Sequence, residues 1–368
     1  ARPDAVDADG EARRGSAVKG GRAAAVATGF AIVAGLAACT FTRSLDYLTS
    51  GDAADGGRDG EAPLGETIAE AQLSPKNLAQ DEENLYWSNA DGAIMTAPKK
   101  GGEARRIAVA PSGAPVVWIA ADRGAGGDVF VIAGAAVRRA PKAGGELVLV
   151  EDDPPAPRAL AVDDDAIFVV HEDLNAAEPG FLARYAKDGT NRAQLSVEGD
   201  DPLAVALHAD SVFWAGNTIE YSAIFELPKD APPDAGATAK VHRGSGIDDS
   251  VYADTPAAFA VDDEAIYYNE VDVTFRLPRA EGSAPAIVFE PPEGVNPVAF
   301  AYDGANLYVV DQRERGAVIR IPKGGGAPLA IASNLPAPTS VVVDTSAVYV
   351  AVQGSGLSPD GAVLRLAK

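Results

Sequence analysis

The stretch NLYWSNADGAIMTAPKKGG, residues 84–102, carries an aromatic-led apolar segment, a short polar turn, a second apolar segment and a Gly-rich turn with two lysines. Taken alone, PKKGG invites a phosphate-loop reading. That chemistry needs a strand, then a turn whose amides face the anion, then a helix bearing Lys and Ser or Thr. Strand-like sequence follows instead, and the turn recurs as PKAGG, PRAEG and PKGGG. The glycines are therefore expected to supply the positive φ of tight hairpins.

The whole stretch recurs as well. Aromatic-led apolar segments stand at LYWSN (85–89), VFVIA (129–133), IFVVH (167–171), VFWAG (212–216), IYYNE (266–270), LYVVD (307–311) and VYVAV (348–352). Each precedes a second segment ending in a Pro-Lys-like pair, from Pro98-Lys99 to Ala367-Lys368, and successive pairs lie 43, 45, 42, 50, 44 and 45 residues apart. A period near 44 with several short strands per unit is the mark of propeller blades. Within a unit the expected order is a small apolar inner strand such as RALAVD (158–163), then an Asp-led turn and the aromatic strand. An AVIRIPK-type strand (317–323) and an outer strand such as LVLVE (147–151) complete it.

The last repeat stops after its third strand, which would leave an open edge. LGETIAEAQL (64–73) precedes the first inner strand and is predicted to fill that place, closing the ring. The expected fold is thus all-β: a seven-bladed β-propeller of four-stranded blades over residues 64–368, closed by an N-terminal strand. LYWSN followed by GAIMTAPKKGG resembles the YWTD-type and TolB-like propeller repeats. That resemblance covers about 300 residues and implies a binding or scaffolding role. The chain departs from the YWTD class in having seven units rather than six, and in keeping Tyr-Trp only at Tyr86-Trp87.

The N-terminus reads differently. Arg13, Arg14, Lys19 and Arg22 precede the apolar run AAAVATGFAIVAGLAA (23–38), shorter than the roughly 20 residues of a membrane-spanning helix and ending in small side chains. The run ends in Leu36, Ala37 and Ala38, and Cys39, the only cysteine, follows. This LAAC segment resembles the lipobox of bacterial lipoproteins, which implies cleavage before Cys39 and lipidation of its thiol. Two or more acyl chains make a stable anchor where one does not. Thr40, rather than an Asp retention signal, implies sorting to the outer membrane, with the protein facing the periplasm or the surface. Residues 1–38 are expected to be a signal peptide, and residues 39–63, with GDAADGGRDGEAP, a flexible tether. Ala1 in place of Met suggests a processed or mis-set start, and residues 1–12 need not be translated.

A formal charge of −22 argues against nucleic acid as a partner. The Asp-led turns (Asp81, Asp163-Asp164-Asp165, Asp262-Asp263) are read as turn chemistry, with weak Ca²⁺ binding as the alternative and no other cofactor expected. His171, His208 and His242 come without a metal or catalytic spacing. Trp87, Trp118 and Trp214 are read as blade core rather than a carbohydrate platform.

The stronger signal is an asymmetry of faces. One face carries short uniform turns; the other carries longer loops such as HEDLNAAEPG (171–180), DQRERG (311–316) and VQGSGLSPDG (352–361). Asp152, Asp153, Glu172, Asp173, Asp200, Asp201, Asp248, Asp249, Asp311 and Glu314 make that face acidic, as expected of a surface for a cationic ligand or an envelope protein. The reading is a lipid-anchored binding or assembly module. The alternative is a propeller enzyme of lyase, lactonase or glycoside hydrolase type, using a carboxylate or metal site at the channel mouth.

Overall fold

A computed structural model describes residues 65–111, 114–124, 126–152, 156–172, 180–196, 201–217, 222–233, 235–242, 259–270 and 272–368. The signal, lipobox and Cys39 expectations lie outside these residues.

The described strands form seven antiparallel four-stranded sheets. Blade one orders Lys76–Gln80, Asn84–Ser88, Ala93–Pro98 and Arg105–Val109 from its first strand to its last. The first strands of the next six blades are Val116–Ala121, Pro157–Val162, Asp201–His208, Phe259–Val261, Pro297–Tyr302 and Pro338–Val343. These first strands contact one another around the ring and so line the central channel.

Closure follows the expected scheme. Glu66–Gln72 pairs antiparallel with Gly361–Leu366 and becomes the outer strand of blade seven. Ile68 and Ala69 pack there with Trp87, Tyr349 and Val363, tying the two chain ends into one core cluster. Gln72 adds a polar anchor, accepting the Trp87 indole N–H at 3.1 Å.

The unbroken apolar second strands have a direct physical cause. Each is sandwiched between two neighbouring blades, so both of its faces are buried, as in Ala166–His171. Side chains alternate across a strand, and here the alternation chooses between neighbours. Phe168 and Val170 pack toward Trp214 of blade four, while Ile167 and Val169 pack toward Phe130 and Ile132 of blade two. Each such side chain contributes about 1.5–3 kcal/mol on full burial.

The Gly-rich turns are the hairpins expected. Gly101 N–H donates to Pro98 O at 3.0 Å, Gly144 N–H to Pro141 O at 2.8 Å and Gly325 N–H to Pro322 O at 2.9 Å. Their φ values are 84°, 102° and 82°, a region that favours glycine.

Candidate functional site: two faces and a channel mouth

On the uniform face, the Asp-led turns and the Pro-Lys pairs prove to be two halves of one device. Asp81 Oδ1 accepts the N–H groups of Glu83 (2.9 Å) and Asn84 (2.7 Å), which fixes the turn. Its Oδ2 accepts the Tyr86 hydroxyl at 2.7 Å and the Lys142 ammonium of the next blade at 2.8 Å. The inter-blade bond repeats as Lys187 to Asp122 (2.6 Å), Lys229 to Asp163 (3.2 Å), Lys323 to Asp262 (3.3 Å) and Lys368 to Asp303 (2.7 Å). Lys99 to Asp344, at 3.0 Å, joins blade one to blade seven. Six of seven blade junctions carry it.

At the seventh junction Ala209 stands in the turn, and Arg279 bonds Glu226 at 2.6 Å instead. Glu226 also meets His242 Nε2 at 2.9 Å and accepts the Ser211 hydroxyl at 3.1 Å.

This belt sets the titration of its carboxylates. Burial pushes them up, but hydrogen bonds from hydroxyl, backbone and lysine donors together outweigh it. Asp262 and Asp303 are held down at about 2, and Asp81, Asp163 and Asp344 are also lowered. Burial and the adjoining carboxylates raise Tyr86, Tyr302 and Tyr308. The turn reading of these aspartates was right but incomplete. Its missing signal was a lysine recurring one blade after each Asp.

A cavity of about 860 Å³ also opens on this face, between blades three and four. Within its lining Lys229 bonds Asp163, and Arg184 bonds the Lys229 carbonyl.

The other face opens into the channel. A cavity of about 430 Å³ lies where the first strands of blades one, two, six and seven begin. Lys76, Trp118, Asn296, Gln312, Thr339 and Ser340 line it, with Leu78 and Val298 as apolar wall. A proline sits within one residue of the start of six inner strands (Pro75, Pro115, Pro157, Pro202, Pro297, Pro338), a periodicity the strand reading passed over. A register shift of the β-bulge kind follows in each of these six blades. Proline suits a first strand position, where no ladder donor is needed, and a bulge re-aims the next side chains.

Trp87 and Trp214 are fully buried in blade cores, as expected. Trp118, on the inner strand of blade two, is half-buried: it packs against the core clusters of blades two to four and also lines this cavity.

The acidic residues expected on this face divide. Asp152 and Glu314 are exposed. Glu172 is half-buried and ion-paired with Arg158. Asp201 begins the first strand of blade four. Asp153, Asp173, Asp200, Asp248 and Asp249 lie outside the described residues. Asp311 is corrected: it is fully buried and is no surface carboxylate. It accepts Asn296 N–H at 2.9 Å and is neutralised by Arg313, which fixes the connection into blade six. Asn296 and Gln312 are then joined by a 2.8 Å backbone bond and both face the cavity.

The histidines have separate partners. His171 is buried, stacks on Phe181 at 4.2 Å and lies 3.7 Å from Glu151. His208 meets Asp263 at 2.8 Å. Among the described residues, no group of three or more His, Cys, Asp or Glu is arranged to hold a metal ion, and no helix is long and apolar enough to cross a membrane.

Neither a protein-family model nor a curated protein matches this chain. Solved structures do. Virginiamycin B lyase from Staphylococcus aureus superposes with a TM-score of 0.61 at 13% identity, covering 82% of this chain and 97% of the lyase. YCF48 from Cyanidioschyzon merolae gives 0.57 at 10% identity, covering 83% and 99%. YCF48 bound to a D1 peptide gives 0.55 at 11% identity, covering 84% and 96%. At these identities the likeness is one of fold: the chain is a seven-bladed β-propeller.

Proposed function

We propose that this chain is a lipid-anchored propeller of the bacterial envelope, acting as a binding or assembly module through its irregular face. The observation that carries the reading is the contrast between faces. On the uniform face the turn carboxylates are consumed by the Asp–Lys belt that holds the blades together. The irregular face carries the long loops and the cavity at the channel mouth. A rigid scaffold presenting variable loops around a channel is where propellers place their ligands. The fold itself is neutral on chemistry: among its structural neighbours it serves a lyase in one protein and holds a peptide in another.

The anchor half of the proposal rests on LAAC and its flanks, and the outer membrane is the destination that Thr40 supports. Labelled palmitate should enter the wild-type chain and fail to enter Cys39→Ala; equal labelling of both would remove it. The binding half is tested by immobilising residues 40–368 and passing envelope extract over them, beside a variant carrying Asp152→Ala, Glu172→Ala and Glu314→Ala. Proteins identified by mass spectrometry should be retained by the wild type and depleted on the variant. Identical sets on both would sink the acidic-face reading.

A further inference from the structure

The channel-mouth cavity has a chemistry opposite to that of the chain. The protein carries a formal charge of −22, yet among the described residues lining this cavity the one charged side chain is Lys76. Lys76 is exposed and makes no ion pair among the described residues. Ser340 Oγ accepts the Leu78 N–H at 3.0 Å, which leaves its hydroxyl hydrogen free to donate. The Gln312 side chain and the Trp118 indole N–H make no hydrogen bond among the described residues, whereas the Thr339 hydroxyl is spent on Pro75 O at 2.9 Å. Lys76 is therefore joined by donors on Ser340, Gln312 and Trp118, beside an apolar wall of Leu78, Val298 and the Trp118 ring, while the Asn77 and Asn296 amides spend their N–H groups on Ser88, Val116 and Gln312.

The geometry points to a binding site for a small organic carboxylate with an apolar body, seated at the channel mouth. Lys76 supplies the charge, Ser340 and Gln312 supply hydrogen bonds, and Trp118 packs against the body of the ligand. A cavity of about 430 Å³ suits one small molecule. Asp311, the buried carboxylate beneath the rim, is already neutralised by Arg313. The rim is held in place before any ligand arrives, since Asp311 fixes Asn296, and Asn296 fixes Gln312. This inference takes its face from the proposed function and adds the class of ligand.

The test uses two probes of nearly equal shape, 4-fluorobenzoate and the neutral 4-fluorobenzamide, titrated into the 40–368 chain and followed by ¹⁹F NMR. Trp118 is the half-buried member of the three tryptophans, so its indole N–H resonance, identified with Trp118→Phe, reports binding in the cavity. The benzoate is expected to bind at least tenfold more tightly than the amide and to shift that resonance. Lys76→Met should bring the benzoate down to the level of the amide, while Lys240→Met, an exposed lysine outside the cavity, should change nothing. Equal binding of the two probes, an unaffected Lys76→Met, or no shift at Trp118 each overturns the carboxylate site. Capture of envelope proteins through the loop carboxylates is read separately, so failure here leaves that reading standing.

Discussion

Lys99 of blade one lies 3.0 Å from Asp344 of blade seven, so the junction between the chain's two ends is bonded in the same way as the junctions within it. Asp344 also accepts the N–H groups of Ser346 (2.7 Å) and Ala347 (3.0 Å), and so organises its own turn while holding the neighbouring blade. The side chains are 8% and 22% exposed, little enough that the bond is not lost to solvent screening. Removing one partner strands the other's charge. Lys99→Met is expected to cost about 2 kcal/mol, less than the loss of a fully buried pair. In a double-mutant cycle with Asp344→Asn, the two changes should together cost about 1 kcal/mol less than the sum of their separate effects. Urea denaturation of the four proteins checks this, and strict additivity would contradict it.

The belt also dictates an acid limit. Asp262 and Asp303 titrate at about 2 in the folded protein, below the ordinary 3.8, because their donors outweigh burial. A carboxylate lowered on folding contributes stability that is complete above its unfolded pKa and is lost as pH falls through the folded one. The loss should therefore run from about pH 4 down to about 2, on the order of 2 kcal/mol for each of these two groups. The urea midpoint, measured at steps across that window, should fall steadily, and Asp303→Asn should flatten part of the slope. A midpoint unchanged across the window would count against the belt.

Much of this fold was legible because a propeller writes the same sentence seven times. The aromatic second strands and the glycine turns stood out, since burial on both faces and positive φ each select few residue types. LGETIAEAQL was recognisable as the closing strand by counting: it stood as one strand too many before the first unit, and the seventh unit showed one too few. The pairing of Lys142 with Asp81 was not legible in the same way. Each residue has a sufficient local explanation, one as a turn former and the other as the end of a strand, and only the superposition of neighbouring blades brings them together. Asp311 was misplaced for a related reason. Its position in the expected loop DQRERG suggests a surface carboxylate, and that it faces inward against Arg313 emerges only in three dimensions.

Closure by the N-terminal strand should carry more stability than its seven residues suggest. Ile68 is 4% exposed and sits among Trp87, Tyr349 and Val363, residues from both the first and last blades. Ile68→Asp places a carboxylate in that cluster without a partner, which costs several kcal/mol or expels the strand. Ile68→Val should cost only about 1 kcal/mol. Thermal melts of the two variants should separate widely. Similar melting temperatures would mean that the ring holds without its outer strand.

The seventh junction should respond to pH in a different range from the other six. His242 is buried beside Glu226, with Lys240 and Arg279 facing the same carboxylate and Phe213 against its ring. Burial lowers its pKa, and the nearby Lys240 and Arg279 charges add to this, against the opposing pull of Glu226. The unfolded chain then binds the proton more readily than the folded one. Stability must therefore fall as pH drops below about 6.5, the ordinary histidine value, and level off below the folded pKa. Glu226 itself is lowered, burial notwithstanding, by His242, Arg279 and Ser211, and so remains ionised throughout this range. Comparing the urea midpoints of wild type and His242→Gln between pH 7.5 and 5.5 isolates the effect. The wild type should weaken across the interval and the variant should not. Parallel profiles would mean that His242 keeps an unshifted titration, and that the Arg279–Glu226 bond alone closes the junction.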